Sequence, residues 1–295
     1  MPHLQTALKI LKNGDVIGMP TETVYGLAGD ITQEVALRKI FETKERPFFD
    51  PLIVHVADIE QAKTLTTEWS ELADFLAKNF WPGPMTMVLP KIKALNPLIT
   101  AGLDSVGIRC PNHPVALELL KQYGKPLAAP SANKFKKTSP TLPAHVKNDF
   151  PDLFVLDGGA CEVGIESTVL APIGNEIHIY RLGMITEEIL KTSVKKFPRK
   201  ISVNITQSPA APGQLEDHYM PRKPLYIIEG KTQIPKNAKE LILPESATLA
   251  ARLLYQRLHE LSIGSHENIY FLRKSLHRHD QWHPIMDRLI KASTK

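Results

Sequence analysis

The sequence predicts an α/β protein of two domains, a twisted mixed sheet with flanking helices followed by a small C-terminal α/β domain, and three observations predict it. Short apolar runs rich in Val, Ile and Leu alternate with segments whose apolar residues recur at helical spacing. Some of these runs follow one another closely, which implies antiparallel pairs in the sheet. At 295 residues the chain exceeds the commonest single-domain size, and a hydrophobic content of 43% suffices for ordinary cores.

Taken in order, Leu4, Leu8 and Leu11 keep helical spacing and Gly14 supplies a stop, so a short helix precedes a strand at Asp15 to Met19. Pro20 ends that strand pattern, because it cannot donate to a sheet ladder. The stretch MPTETVYGLAGD, Met19 to Asp30, then joins three hydroxyls to a glycine pair. Gly26 and Gly29 are expected to adopt backbone angles closed to other residues and so to expose Thr21, Thr23 and Tyr25. Thr32 is expected to cap a helix whose apolar face is Val35, Leu37, Ile40 and Phe41 and whose end delivers Lys44. Lys44 and Arg46 stand at i and i+2, so in an extended segment both cations face one side, and Pro47 disfavours continuing the helix. The strand PLIVHV follows, with His55 near its end.

Ser70 precedes the helical face Leu72, Phe75, Leu76 and Phe80, which Trp81, Pro82, Gly83 and Pro84 terminate; MTMVLP then reads as a buried strand. SVGIRCP is another strand, ending in Pro111, and Pro114 opens the helix PVALELLKQY. Arg109 lies mid-strand, where it either pairs with a carboxylate of the protein or reaches one on a ligand. FVLDGG, STVLAP and IHIYRLG are three more strands before Thr186 starts a helix.

From Lys191 to Lys200 the segment KTSVKKFPRK carries five cations and no acid, and a solvated surface is preferred to a weak tRNA contact. Residues 201–223, rich in Pro, Gly and Ser, read as an interdomain linker. That assigns 1–200 to the first domain and 224–295 to the C-terminal one. In the latter, PLYIIEG, ELILPE and IYFLRK are strands, Leu249, Leu253, Leu254, Leu258 and Leu261 one helix face, and PIMDRLIKA the last helix.

Composition bounds the function. A net charge of +5 and a pI near 9.0 are mildly basic, compatible with nucleotide or RNA partners and diagnostic of neither. Cys110 and Cys161 form no CxxC and no disulfide framework, which fits a reducing compartment, with the cytoplasm as the expectation. The N-terminus lacks the pattern of a signal peptide and no run approaches a membrane span. Gly159 and Gly164 have P-loop spacing, but Ile165 and Glu166 stand where Lys and Ser or Thr are needed. No GxGxxG occurs, Ser131 lies in PSAN rather than GxSxG, and His277, His279 and His283 have no cysteine nearby, so no metal site is assigned.

PTETVYGLAGD with KERPFFDPLIVH resembles the YrdC-type threonylcarbamoyl-AMP synthases in their longer, two-domain form. The resemblance continues, in one order over roughly two hundred residues, through WPGPMTMVLP, SVGIRCPNHP, APSAN, GIESTVL, RLG and PGQLEDHYMP. It implies a YrdC-like sheet, a Rossmann-like C-terminal domain, and synthesis of threonylcarbamoyl-AMP from L-threonine, bicarbonate or CO2, and ATP, with Mg²⁺ accompanying the nucleotide. The product would pass to downstream threonylcarbamoyl-transfer machinery for tRNA modification. Carried over residue by residue, Lys44, Arg46, Ser131 and Asn133 form the catalytic set. Thr23, His55, Arg109, Ser131 and Ser167 resemble the threonine contacts. Lys44, Arg46, Asp50, Ser105, Asn133, Ser139, Arg181 and Tyr219 resemble the ATP contacts, Tyr219 belonging to a linker that folds over the nucleotide as a lid.

The chain departs from the family pattern at Asp50, where Asn is usual, at Lys134 to Lys137, at Leu182, where Pro is usual, and at Met220, where Ala is usual. Asp50 brings a negative charge toward phosphate. The rival readings are a non-catalytic RNA-binding protein and a carbamoyl-transfer relative; the small-ligand motifs argue against the first and the PGQLEDHY linker against the second. Trimming the chain at about residue 205 is expected to leave the first domain folded, because the remainder supplies none of its predicted strands or helix faces.

Overall fold

The computed structural model describes residues 2–206, 218–229 and 234–294. The first domain opens with α1 (Pro2–Lys12), β1 (Ile17–Met19), β2 (Gly26–Asp30), α2 (Glu34–Lys44), β3 (Ile53–His55), α3 (Ile59–Lys63) and α4 (Glu71–Phe80). It continues through β4 (Met85–Pro90), α5 (Pro97–Thr100), β5 (Ser105–Arg109), α6 (Pro114–Tyr123), β6 (Leu127–Ala128) and α7 (Pro143–Asp149). β7 (Thr168–Ile173), β8 (Glu176–Arg181), α8 (Glu187–Ser193) and β9 (Ser202–Ile205) complete it.

These strands form one mixed sheet of nine, in the order β1-β2-β6-β3-β5-β4-β7-β8-β9. Its two faces are covered unequally, and that places the site. α2 and α4 lay Leu37, Ile40, Leu72 and Leu76 on one face, against Val54, Ile108, Met87 and Leu170. On the other face α1 and α6 reach Ala28, Leu127 and Ala129. Beyond them the same face carries His55 and Arg109 and opens into a cavity.

The C-terminal domain is a parallel three-stranded sheet, order β10-β12-β11, made of β10 (Leu225–Ile228), β11 (Ala238–Glu240) and β12 (Asn268–Leu272), with α9 (Ala247–Leu261) and α10 (His283–Ala292). Its core extends into the first domain, for Val24 and Ile165 pack in one buried cluster with Leu254, Tyr255, Ile285 and Leu289. No helix among the described residues is long and apolar enough to cross a membrane.

Several local expectations are corrected. Gly26 and Gly29 lie in β2 without positive φ; they are glycines because a Cβ would come 3.0 Å from the Ala129 Cβ and 3.2 Å from Ile40 Cδ1. The constraint is close packing, not backbone angle. Gln33, not Thr32, is the residue before α2, and the Thr32 hydroxyl donates to Asp30 at 2.8 Å. Val35 is exposed. FVLDGG forms no strand and contributes a single bridge from Val155 to Gly18, while β11 ends at Glu240, where ELILPE begins. α9 buries Ala250, Ala251, Leu254, Tyr255 and Leu258 and leaves Leu249 half-exposed, a face rotated from the leucine stripe. Ser202–Ile205, assigned to the linker, pairs in parallel with β8, so the first domain runs past residue 200. Of the lid segment, residues 212–217 lie outside the described residues, and His218 to Pro221 are described.

Candidate active site

Most of the functional side chains come from the end of a strand or from the turn beside it, and Arg46 follows the end of α2. On β3 the pleat turns Ile53 and His55 to the open face and Val54 into the core. β5 runs parallel alongside, with His55 opposite Arg109, so imidazole and guanidinium are neighbours. The turn after β1 adds Thr21 and Thr23, the turn after β6 adds Ser131, the approach to β7 adds Glu166 and Ser167, and β8 ends on Arg181. With Arg46 and His218 these line a cavity of about 580 Å³, counting its open mouth.

Hydrogen bonds fix the lining. The Thr21 and Thr23 hydroxyls are 2.9 Å apart, and Arg109 Nη1 donates to Thr23 Oγ1 at 2.7 Å. Arg109 Nη2 forms a buried ion pair with Glu22 at 2.7 Å. The arginine thus has its carboxylate partner within the protein and also faces the cavity. The Ser167 hydroxyl lies 2.8 Å from that of Thr86 and accepts from Arg181 Nη2 at 3.1 Å, while Arg181 Nε donates to the Ser167 carbonyl at 3.1 Å. A Cβ at Gly183 would come within 2.4 Å of Thr168 N, so the RLG turn needs its glycine to lie this close to β7.

Lys44 and Arg46 act differently. Lys44 is buried and donates to the carbonyls of Ser131 at 2.5 Å and Asn133 at 2.6 Å, bracing the PSAN turn rather than lining the cavity. Arg46 lines the cavity, donates to the Pro51 carbonyl at 2.8 Å and pairs with Asp50 at 2.9 Å. Asp50 therefore faces the arginine, and burial raises its pKa against the pull of Arg46 and Lys44.

Among the described residues, five buried cationic side chains, Lys44, Arg46, Arg109, Arg181 and Arg288, surround the site with three buried carboxylates, Glu22, Asp50 and Glu166. Burial lowers the pKa of Lys44, Arg46 and Arg181, with Arg46 adding to the effect on Lys44. Arg46, Arg109 and Arg181 face the cavity, where an anion would offset part of that penalty.

Two histidines face the cavity as neutral imidazoles. Burial and then Arg109 hold His55 at about 3. Burial, against the opposing pull of Glu166, holds His218 at about 3 as well. The unfolded chain takes up these protons below pH about 6.5, and the folded chain takes them up only near 3, so stability is full above about 6.5 and falls on acidification through that window. We expect urea unfolding free energies to drop between pH 7.5 and pH 5 with a slope approaching about 1.4 kcal/mol per pH unit for each imidazole. Equal stability at the two pH values would contradict the neutral pair.

Of the expected site residues, Thr23, Arg46, His55, Arg109, Ser131, Ser167 and Arg181 come together. Lys44 and Asn133 stand just behind them, the Asn133 side chain donating to the carbonyls of Lys134 and Lys137 at 2.8 Å each. Ser105 does not join them: it starts β5, about 13 Å along the strand from Arg109, and borders a separate surface depression with Glu68 and Tyr180. Ser139 is buried with its hydroxyl donating to Glu166 at 2.6 Å. Tyr219 is buried at φ 65° in the C-terminal core, its ring 5.8 Å from that of Tyr255, and its neighbour His218 faces the cavity. Tyr25 turns away to the Gly159 carbonyl at 2.7 Å.

Glu22, Glu166, His218 and Arg288 went unassigned in the sequence. The signal for the first two was an acid inside an apolar, hydroxyl-rich motif, which needs a buried partner. The departures at Lys134 to Lys137 and at Met220 lie against each other, because Met220 N donates to the Lys136 carbonyl at 2.8 Å and Thr138 N to the Met220 carbonyl at 3.1 Å. In the basic segment Lys191 pairs with Glu187 and Arg199 with Glu71 on the surface.

Fold and site together define an α/β protein whose sheet carries a polar, cation-rich cavity, with a second domain packed beside it against Val24 and Ile165. The family model described as Telomere recombination, Sua5_yciO_yrdC, matches residues 9–183, and that described as Threonylcarbamoyl-AMP synthase, C-terminal domain, matches residues 184–294. The chain belongs to the Sua5/YciO/YrdC family, in its two-domain form. It is 41% identical to the threonylcarbamoyl-AMP synthase of Bacillus subtilis, over 82% of this chain and 70% of that protein. To the threonylcarbamoyl-AMP synthase of Schizosaccharomyces pombe it is 34% identical, over 94% of this chain and 78% of that one. Its structure is similar to that of Pyrococcus abyssi Sua5 complexed with L-threonine, with a TM-score of 0.86 and 30% identity over 98% of this chain and 94% of that one.

Proposed function

We propose that the cavity makes threonylcarbamoyl-AMP from L-threonine, bicarbonate or CO2, and ATP, releasing pyrophosphate, and that the product serves threonylcarbamoyladenosine modification of tRNA. One observation carries the reading: the Thr23, His55, Arg109, Ser131 and Ser167 set lines the same cavity as Arg46 and Arg181. An amino acid and a polyphosphate are thereby held within reach of each other.

The chemistry asks for positioning more than for a nucleophile from the protein. The threonine amine captures CO2 as a carbamate, a carbamate oxygen attacks the α-phosphorus, and the bond to the β-phosphate oxygen breaks, so charge builds on the departing pyrophosphate. Arg109, held by Glu22 and Thr23, keeps guanidinium N–H groups for the threonine carboxylate. His55, uncharged, offers a hydrogen bond without competing for an anion. Arg46 and Arg181 face the phosphates, and Lys44 holds the PSAN turn in place.

Magnesium enters as part of the nucleotide. The nearby carboxylates Glu22, Asp50 and Glu166 are engaged by Arg109, Arg46 and Arg288, so the ion would be held mainly by phosphate oxygens and water and would share the charge that builds on pyrophosphate. The test is pyrophosphate release. It is expected only when ATP, threonine and bicarbonate are all present, and equal release without threonine would sink the reading.

A further inference from the structure

Residues Gly164 to Ser167 form a short irregular link into β7, of which Glu166 and Ser167 both line the cavity. What holds it there comes largely from the other domain. Glu166 Oε2 accepts from Arg288 Nε of α10 at 3.0 Å and from the Tyr255 hydroxyl of α9 at 2.9 Å. Its other oxygen accepts from Ser139 at 2.6 Å, and Arg288 Nη2 reaches the Glu166 carbonyl at 3.5 Å.

The same guanidinium fastens the second strand end that enters the site. Arg288 Nη1 donates to the Leu182 carbonyl at 2.5 Å, one residue beyond Arg181. Arg288 is fully buried, with the Tyr219 ring 5.4 Å from its guanidinium carbon. Gly164, at φ +80°, lies against α9 so closely that a Cβ would meet Arg252 Cα at 2.4 Å. The link therefore rests on the backbone of the C-terminal domain, and its register against the cavity is set from that side.

We infer that Arg288 and Tyr255 of the C-terminal domain are positioning residues of the active site, acting through Glu166 to set the Ser167 hydroxyl and through Leu182 to set the Arg181 guanidinium. The second domain on this view belongs to the catalytic unit, because one buried arginine ties together the two chain segments that face threonine and ATP. Ser167 and Arg181 are themselves hydrogen-bonded, so a displacement of either segment moves both. The electrostatics agree: burial opposes the Glu166 carboxylate, and Arg288 and Arg181 outweigh it, holding its pKa at about 2. The tie therefore persists across the physiological pH range.

The inference rests on the proposed synthase activity, and the test separates the two. Full-length Tyr255→Phe loses one hydroxyl and leaves the Arg288–Glu166 pair; Arg288→Lys keeps the charge and loses the fork that spans Glu166 and Leu182. Folding of both is checked by circular dichroism, and pyrophosphate release is measured against threonine and ATP separately. Loss of one charge-assisted contact should raise KM for threonine about tenfold in Tyr255→Phe, and Arg288→Lys should raise KM for both substrates, with smaller effects on kcat. A purely structural role would lower kcat in proportion to the unfolded fraction and leave both KM values alone. Unchanged KM values in the folded variants, with the unaltered protein active, would overturn the inference by itself. No threonine-dependent release from the unaltered protein would overturn the function, and the inference with it.

Discussion

Lys44→Ala is expected to lower threonine-dependent pyrophosphate release at least a hundredfold, about 3 kcal/mol of barrier. The resemblance placed this cation among the ATP contacts, a role whose loss would weaken catalysis and leave the fold intact. The structure changes both parts of that argument. The ammonium is buried between the carbonyls of Ser131 and Asn133, so alanine leaves two buried acceptors unsatisfied and frees the turn that carries Ser131 into the cavity. Each orphaned carbonyl costs on the order of 1–3 kcal/mol, so stability should fall together with the rate. Arg46→Ala provides the contrast, because it removes a lining cation and leaves Asp50 without its partner. The checks are urea denaturation and single-turnover rates measured on the folded fraction of each variant. A near-wild-type rate for Lys44→Ala would remove the lysine from the catalytic machinery.

Cutting the chain at about residue 205 should abolish most synthesis and, contrary to the expectation from sequence, destabilise what remains. The strand β9 is retained by such a cut, so the large sheet keeps all its members. Its open face does not keep its cover. Val24 and Ile165 lose the apolar cluster formed with Leu254, Tyr255, Ile285 and Leu289, and Glu166 loses Arg288 and Tyr255. A buried carboxylate stripped of its partner typically costs about 3–5 kcal/mol. Water also reaches a carbamate and an adenylate that both hydrolyse. The measurements are the urea midpoint and the initial rate of threonylcarbamoyl-AMP formation by the trimmed and full-length proteins. Equal rates and equal midpoints would show the second domain to be an appendage.

Much of the first domain was legible because its signals are local. The helical spacing of Leu4, Leu8 and Leu11, the Ser70 and Thr186 caps and the Pro114 start appear as α1, α4, α8 and α6, with Ser70 accepting from Ala73 N at 3.1 Å and Thr186 from Ile189 N at 3.4 Å. Motif order brought most of the lining residues onto one list. Motif order says nothing about depth along a strand: the resemblance placed Ser105 among the ATP contacts, yet it stands at the opposite end of β5 from Arg109, away from the cavity.

By itself, then, the sequence determined the α/β alternation, the family, and the chemical types gathered for an amino acid and a polyphosphate, because propensity, capping and period act over a few residues. Partnership was decided only by the tertiary structure. That Lys44 serves two carbonyls, that Arg46 is matched by Asp50 and Arg109 by Glu22, and that Arg288 reaches Glu166 across 122 positions of chain are outcomes of burial. A charge removed from water takes whichever opposite group or dipole the fold brings within about 3 Å, and sequence distance has no part in that choice.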